Sequence, residues 1–187
     1  MAEPSFRSSA TASLPGRSSR TAATQLLACE AVATEAERCA HFRIRHQVFV
    51  IEQGMFGGSY GDGGGPGDDA DVHDDDPATI HVIGRADETI CGTVRLYPLG
   101  PEPGADGRWK GDRLAVLASY RHLGLGAPLV RFAVSAAARL GGREMEAFIQ
   151  PANIAFFRWL GWERTGDLVD YAGLPHQRML IDLTRPT

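Results

Sequence analysis

The stretch Arg121-His122-Leu123-Gly124-Leu125-Gly126-Ala127 joins two segments of regular pattern. The apolar residues 114–118 before it predict a β-strand, and apolar side chains recur at helical spacing from Pro128 to Leu140 after it. The first N–H groups of a helix have no partner within the helix, and the helix dipole makes that end positive. Glycines let such a backbone approach a ligand closely. The stretch therefore predicts a binding site for a phosphate-bearing group.

Two common phosphate loops do not match this stretch. A Walker loop needs Gly-x-x-x-x-Gly-Lys followed by Ser or Thr, and no glycine here precedes a lysine in that frame. A dinucleotide fingerprint, Gly-x-Gly-x-x-Gly/Ala, begins at Gly124 but fails at Leu129. The pattern that remains is Arg-x-x-Gly-x-Gly/Ala between a strand and a helix.

The rest of the chain predicts the element order β-α-β-β-β-α-β-α-β-β. The strands are expected at residues 24–33, 80–84, 90–97, 112–118, 144–149, 162–171 and 177–183, and the helices at 34–52, 128–140 and 151–160. The sequence Thr34-x-x-Glu37 is a capping box that marks the start of the first helix. We therefore predict an α/β (α+β) fold whose mixed, mostly antiparallel sheet is flanked by helices and is parallel only where a helix crosses over.

Composition limits the classes of function. The chain has 187 residues and a net charge of −4, which argues against a general nucleic-acid binder. No apolar run is long enough for a membrane span, and three cysteines without a C-x-x-C pair fit a reducing cytoplasm. We expect a disordered tail over residues 1–23, without the apolar stretch of a secretory signal, and a single domain over 24–187.

Residues 54–76 form a Gly/Asp-rich insertion, which we expect to be a flexible acidic loop beside the site. Its spacing does not match a calcium-binding loop, so no metal site is predicted. Its negative charge could attract a cationic amine.

Two blocks together resemble the GNAT (Gcn5-related) N-acyltransferases. The first runs from Leu114-Ala115-Val116 through Tyr120 to Ala127, and the second is Ala155-Phe156-Phe157-Arg158-Trp159-Leu160-Gly161-Trp162. Residues 45–53, 91–96 and 173–179 further resemble small acetyltransferases of the ElaA type, and the first two of these also resemble acyl-homoserine lactone synthases. In the synthases a tryptophan follows the first of these blocks, whereas Met55 and Phe56 stand in that region here.

The resemblance implies strands four and five splayed around acetyl-CoA, which would be the co-substrate. It places the backbone of Leu114, Ala115 and Val116 on the pantetheine arm and the loop Arg121, His122, Leu123, Gly124, Leu125, Gly126 and Ala127 on the pyrophosphate. Asn153 would contact the arm. The chain would then be a cytoplasmic N-acetyltransferase acting on a small-molecule amine by direct transfer, with no nucleic acid or membrane partner and with a homodimer left open.

Acyl transfer needs a base for the amine and an acid for the leaving thiolate. Glu146, His176 and Asp112 are the candidate bases, although a surface carboxylate, a turn histidine and a carboxylate paired with Arg113 are the plainer interpretations. The family often supplies the acid through a tyrosine at the position of Phe157, so Tyr171 or Tyr120 would have to replace it here. Arg45, Phe49 and Arg95 are the candidate substrate residues, and a structural salt bridge is the alternative for Arg95.

Two other functions remain open at this point. One is an acyltransferase like the autoinducer synthases, which would use S-adenosylmethionine or a longer acyl donor. The other is a non-catalytic module that binds acyl-CoA, which the phenylalanine at position 157 keeps open.

Overall fold

The computed structural model describes residues 25–56, 69–100, 106–171 and 173–185. Its strands are β1 (Leu27–Ala31), β2 (Ile80–Ala86), β3 (Thr89–Pro98), β4 (Arg108–Val116), β5 (Glu144–Ile149), β6 (Glu163–Tyr171) and β7 (Leu174–Asp182). Its α-helices are α1 (Glu35–Arg45), α2 (Gly126–Arg139) and α3 (Ile154–Trp159). The predicted tail and residues 57–68 of the predicted insertion lie outside the described residues.

The strands form one seven-stranded sheet in the order β1-β2-β3-β4-β5-β7-β6. Only the β4–β5 pair is parallel, and the other neighbouring strands are antiparallel. The predicted element order and mostly antiparallel sheet are therefore confirmed. β4 begins at Arg108 rather than at Asp112. Trp109 and Gly111 are buried at alternate positions, as in a strand, although the composition of this segment is that of a loop.

The two long helices cover opposite faces of the sheet. Leu125 and Leu129, at the start of α2, pack directly over Gly84 and Gly92, which are paired across β2 and β3. A Cβ on Gly92 would lie 2.8 Å from Leu129 Cδ1, so the glycine is what allows this close approach. His41 of α1 contacts His81, and a side chain at 81 points away from the face that residue 84 presents to α2.

α1 begins at the predicted capping box. Thr34 Oγ1 accepts a hydrogen bond from the Glu37 N–H at 3.2 Å, and Glu37 Oε2 accepts from the Thr34 N–H at 3.1 Å. The helix was expected to continue to Glu52, but it widens into a π-helix over His46–Glu52. The Gln53 N–H, for example, bonds to the Val48 carbonyl five residues back. Among the described helices, none has the length and apolar character that crossing a membrane requires.

Candidate active site

β4 and β5 are paired over a short stretch and then diverge, which leaves a fork between the two strands. Only residues 108–110 pair with 144–146, and beyond Lys110 the two strands diverge. The backbone edge of β4 that faces β5 therefore has no strand partner over residues 111–116. The predicted splay of strands four and five is confirmed.

A bulge in β4 helps to shape this fork. Arg95 pairs with Asp112 and Thr93 pairs with Ala115, so two β4 residues oppose Val94 alone. Arg113, at the bulge, has a φ of 52°, in the left-handed region that non-glycine residues seldom adopt. Thr93 Oγ1 donates to the Arg113 carbonyl at 3.1 Å and holds this conformation. Arg113 and Leu114, the two residues at the bulge, both line the cavity of the fork.

The loop between β4 and α2 has the geometry of an anion site. Residues Ala118–Leu123 form a 3₁₀ turn, Gly124 adopts a φ of 75°, and α2 begins at Gly126. Leu125 at the helix start provides no capping side chain, and within the loop the Gly124 carbonyl accepts from the Ala127 N–H at 3.3 Å. Leu125 is buried beneath the helix, whereas Arg121, His122 and Gly124 are exposed.

The predicted donor-binding residues come together at one end of the fork. Arg121 Nε donates to the Val116 carbonyl at 2.9 Å, and Arg121 Nη1 lies 2.6 Å from Glu52 Oε1. The Val116 carbonyl is thus held by Arg121 in this structure. Leu114 and Asn153 line the fork, while Ala115 and Ala127 are buried, so that only their backbone could reach a ligand. Leu123 is half-buried and packs on the core.

The fork leads into a mostly apolar cavity that is open to solvent at its mouth. Along β5, Met145, Ala147 and Ile149 face the core under α2, so Phe148 lies on the opposite face. One side of the cavity is therefore formed by α2 and α3, and the other by residues on the α1 side of the sheet. Phe49, a predicted substrate residue, is half-buried in this lining.

His176 and Tyr171 are the predicted catalytic residues that line the cavity. His176 is 3% exposed, and its Nδ1 lies 2.9 Å from the Leu174 carbonyl. A carbonyl can only accept, so Nδ1 carries a proton, and the tautomer that this contact selects has its lone pair on Nε2. The Tyr171 hydroxyl accepts from Arg113 Nη1 at 3.1 Å, and its ring stacks on Phe148. Together they offer a proton acceptor and a proton donor.

Glu146 has a different environment from the one expected of a base. Its carboxylate accepts two hydrogen bonds from Arg178, at 2.9 and 2.6 Å, and lies 3.6 Å from Arg108 Nη2. It sits where β4 and β5 are still paired, and it does not line the cavity. This arrangement corresponds to the plainer interpretation, a strand carboxylate held in salt bridges.

Asp112 lines the cavity but is bound to Arg95 through both carboxylate oxygens, at 2.8 and 2.7 Å. Burial alone would raise the pKa of Asp112, but the hydrogen bonds and the charge of Arg95 outweigh burial and hold that pKa below its usual value. A carboxylate held in this way is a weak base. His176 is therefore the better placed of the three candidate bases.

Arg45 and Arg95 lie in a buried ion-pair network rather than on a substrate surface. Arg45 Nε bonds to Asp69 at 2.6 Å and its Nη1 to Asp74 at 2.6 Å. Arg95 is shared among Asp71, Asp74 and Asp112, each at 2.7 Å. Neither arginine has exposed side-chain surface, which leaves no N–H group open to a substrate. The expected substrate role is corrected on this ground.

The same network determines the position of residues 69–76. Arg113 Nη2 donates to the Asp69 carbonyl at 3.0 Å and to Asp71 Oδ2 at 2.9 Å, beside its contact with Tyr171. Burial opposes the charge on Asp74, yet Arg45 and Arg95 lower its pKa well below the usual range. These aspartates of the insertion are thus neutralised by arginines and do not form the free acidic field that the sequence suggested.

Several residues at the site were not predicted. Lys110 and Gln150 line the cavity, and Gln150 Nε2 donates to Gln53 Oε1 at 3.0 Å, which links the end of β5 to the segment after the π-helix. The role of Arg113 depends on the bulge, which has no local sequence signal. Asp71-x-x-Asp74 could have been recognised as a 3₁₀ capping box, which the structure contains.

Comparison with known proteins agrees with this geometry. The profile of the acetyltransferase (GNAT) family matches residues 45–162. Escherichia coli ElaA has a TM-score of 0.68 at 16% identity, covering 83% of this chain and 99% of ElaA. YncA of Salmonella typhimurium, solved with its cofactor acetyl-CoA, has a TM-score of 0.62 at 16% identity, with coverage of 87% and 96%.

A third solved structure is that of BjaI, a CoA-dependent acyl-homoserine lactone synthase with S-adenosylmethionine and isopentyl-CoA. Its TM-score is 0.63 at 18% identity, covering 85% of this chain and 83% of BjaI. At these identities the solved structures establish a shared fold. Among curated protein sequences, none matches the chain significantly.

Proposed function

Because this chain belongs to the acetyltransferase (GNAT) family, we propose that it is an acetyl-CoA-dependent N-acetyltransferase of a small-molecule amine. One observation carries the proposal: the unpaired edge of β4 leads from the start of α2, which has no side-chain cap, into a cavity that holds His176 and Tyr171. Acetyl-CoA carries a diphosphate and, at its other end, a thioester. The start of α2 suits the diphosphate, and the cavity suits the thioester. The acetyl-CoA bound to yncA supports the choice of donor.

The donor is proposed to enter from the α2 side of the sheet. The N–H groups at the start of α2, together with Arg121 and His122, would bind the pyrophosphate. The amide-rich pantetheine arm would then pair with the free edge of β4 near Leu114, as an added strand would. Asn153, exposed in the turn before α3, lines the same passage.

The acetyl group would be transferred directly from the thioester to the amine. The amine nitrogen attacks the thioester carbonyl, a C–N bond forms, and the C–S bond breaks. His176 Nε2 takes the proton that the nitrogen loses, and the Tyr171 hydroxyl protonates the departing thiolate. Arg113, which donates to the Tyr171 oxygen, would stabilise the phenolate left after that step. Phe157 cannot donate, so Tyr171 takes the role often given to a tyrosine at that position.

The test is calorimetric titration with acetyl-CoA, followed by measurement of CoA release with a panel of small amines. We expect saturable binding at one site and CoA release that depends on the amine. Absence of acetyl-CoA binding would refute the donor assignment. Binding without CoA release on any amine would favour the non-catalytic module instead.

A second candidate is transfer of a longer acyl group in the manner of the autoinducer synthases. The fold shared with BjaI and the apolar lining of the cavity favour it, whereas Met55 and Phe56, in the region where the synthases carry a tryptophan, count against it. Titration with S-adenosylmethionine and with isopentyl-CoA separates the two functions. Binding of S-adenosylmethionine, together with tighter binding of isopentyl-CoA than of acetyl-CoA, would replace the main proposal with this one.

A further inference from the structure

Lys110 occupies an unusual position in the cavity. It is the only lysine of the chain and the last β4 residue paired with β5, and its side chain is half-buried in the cavity lining. Its Nζ lies 5.0 Å from the centre of the Phe148 ring and 5.4 Å from that of Tyr171. These two rings are parallel within 3° and stand 5.7 Å apart. The ammonium group therefore rests against a pair of aromatic rings on the face opposite α2.

This ammonium group has no carboxylate partner within 4.0 Å in the part of the chain that the structure describes. Its strand neighbour Glu146 is bound by Arg178 instead, at 2.6 Å. Asp112 is bound by Arg95, and Arg113 by Asp71. Lys110 is thus the unpaired cation of a mostly apolar cavity. Contact with the aromatic rings offsets only part of the cost of partial burial and uses none of its three N–H donors.

We propose that Lys110 binds a carboxylate of the acceptor, so that the acceptor is an amino acid or another amine that carries a carboxylate. The inference rests on the proposed acetyltransferase function and specifies its substrate class. The ring of Tyr171 contacts Lys110, and the hydroxyl of the same residue is the proposed acid. A carboxylate bound at Lys110 would therefore hold the amine close to the reacting atoms. Phe148 and the apolar lining favour amino acids with apolar side chains.

A purely structural role is the competing explanation for Lys110. The network beside it contains four carboxylates, those of Asp69, Asp71, Asp74 and Asp112, and three arginines. One surplus negative charge remains, and the charge of Lys110 favours the ionised form of Asp112. Such a role would affect stability but would not distinguish between acceptors, which is the difference that the experiment uses.

The experiment compares acceptors with and without the carboxylate, and it compares variants because the carboxylate also lowers the pKa of the neighbouring amine. Leucine is paired with isoamylamine and phenylalanine with phenethylamine, and CoA release is followed on the full chain. We expect the wild-type chain to prefer each amino acid in kcat/KM by about tenfold or more beyond the preference that remains in Lys110→Met, because a site built to pair with a carboxylate rejects the analogue without it. Lys110→Met should remove this additional preference mainly by raising KM for the acids, and Lys110→Arg should keep most of it.

The controls separate this inference from the proposed function. Arg139→Met removes an exposed cation at the end of α2 and should leave the preference unchanged. If Lys110→Met does not fold, Lys110→Gln replaces it. Failure of the wild-type chain to bind acetyl-CoA would overturn the proposed function itself. Three results obtained together with acetyl-CoA binding would overturn the carboxylate site alone. They are no acetylation of any amino acid, equal use of amines and acids, and an unchanged preference in Lys110→Met.

Discussion

At the scale of single residues, Tyr171 connects three parts of the site. Its hydroxyl is bonded to Arg113, its ring stacks on Phe148, and it forms an edge contact with His176 at 5.3 Å between ring centres. The sequence made this tyrosine a candidate acid but did not predict its contacts, because the contact with Arg113 spans 58 residues of chain. Tyr120, the other nominee, is half-buried against the core and does not line the cavity.

Tyr171→Phe is therefore expected to lower kcat by about 10²-fold or more, the usual contribution of a general acid. The stacked ring remains, so acetyl-CoA affinity should be unchanged in calorimetry. Steady-state CoA release measures kcat. Tyr120→Phe is the matched control. Equal losses in the two variants would remove Tyr171 from the mechanism.

The buried His41 gives a second prediction at this scale. Burial, followed by the positive charges of Arg45 and His81, lowers the pKa of His41 to about 3, against an ordinary value near 6.5. Between these values the unfolded chain binds the proton and the folded chain does not. Stability therefore falls as the pH falls through this window. The expected loss from His41 alone is about 2 kcal/mol between pH 8 and pH 5, from about 1.4 kcal/mol per pH unit.

Urea denaturation at a series of pH values measures this loss. His41→Asn can still donate to the Val82 carbonyl, which His41 Nδ1 contacts at 3.2 Å, but it cannot titrate. Its free energy of unfolding should depend less on pH between 5 and 7 than that of the wild-type chain. His122→Asn, at an exposed position, is the control. An identical pH dependence in His41→Asn and the wild-type chain would contradict the assignment.

At the scale of elements, the start of α2 is the part of the site that local sequence predicted best. A strand, two glycines and a helix pattern are all short-range signals, and the anion-site geometry follows from them. The bulge at Arg113 and the widening of α1 into a π-helix were not foreseen, because each depends on how a neighbouring strand or turn fits. Glu146 was nominated for a similar reason: its partner Arg178 lies on β7, and no local pattern connects the two.

Gly126→Asp tests the start of α2. A Cβ at Gly126 would meet only Phe156 Cζ, at 3.6 Å, so the fold should accept a side chain there. The carboxylate would place a negative charge where the pyrophosphate is proposed to bind, and acetyl-CoA affinity should fall at least about 100-fold in calorimetry. Gly126→Ala should retain most of the affinity and serves as the control for bulk. Unchanged affinity in Gly126→Asp would show that the donor binds elsewhere.

The other end of α2 gives a prediction for stability. A Cβ on Gly142 would lie 2.7 Å from Leu183 Cδ1 and 2.8 Å from the Ala137 carbonyl, and the backbone contact cannot be relieved by a rotamer change. Gly142→Ala should therefore cost about 1–3 kcal/mol of unfolding free energy in urea denaturation. Acetyl-CoA affinity at the opposite end of the helix should be unaffected. Wild-type stability in this variant would contradict the packing described here.

At the scale of the whole molecule, the ion-pair network joins segments that are distant in sequence. Arg45 comes from α1, the three aspartates from residues 69–74, and Arg95, Asp112 and Arg113 from two strands of the sheet. The sequence displayed these charges but not their pairing, since only the assembled sheet brings them together. The acidic segment was interpreted as a free loop because isolated aspartates and glycines carry no sign of distant arginines.

Asp74→Asn tests this network. Asp74 accepts from Arg45, from Arg95 and from the Asp71 N–H, and its loss removes one carboxylate partner from each of two buried guanidinium groups. The expected cost is about 3–5 kcal/mol of unfolding free energy. Asp75→Asn, which removes an exposed carboxylate paired with Arg38, should cost less than about 1 kcal/mol. If the two variants lose the same free energy of unfolding in urea denaturation, the buried ion pairs of Asp74 contribute no more to stability than the exposed pair of Asp75.

The single lysine has a practical consequence for work on this protein. Reagents that acylate primary amines have one side-chain target in the entire chain, and that target stands inside the cavity. Once the α-amino group, which has the lower pKa, has been blocked with an unlabelled reagent, an amine-reactive fluorophore would label the acceptor face without any engineered cysteine. The label would be a direct optical reporter of cavity occupancy, and protection of Lys110 from labelling would reveal bound ligands in a mass spectrum.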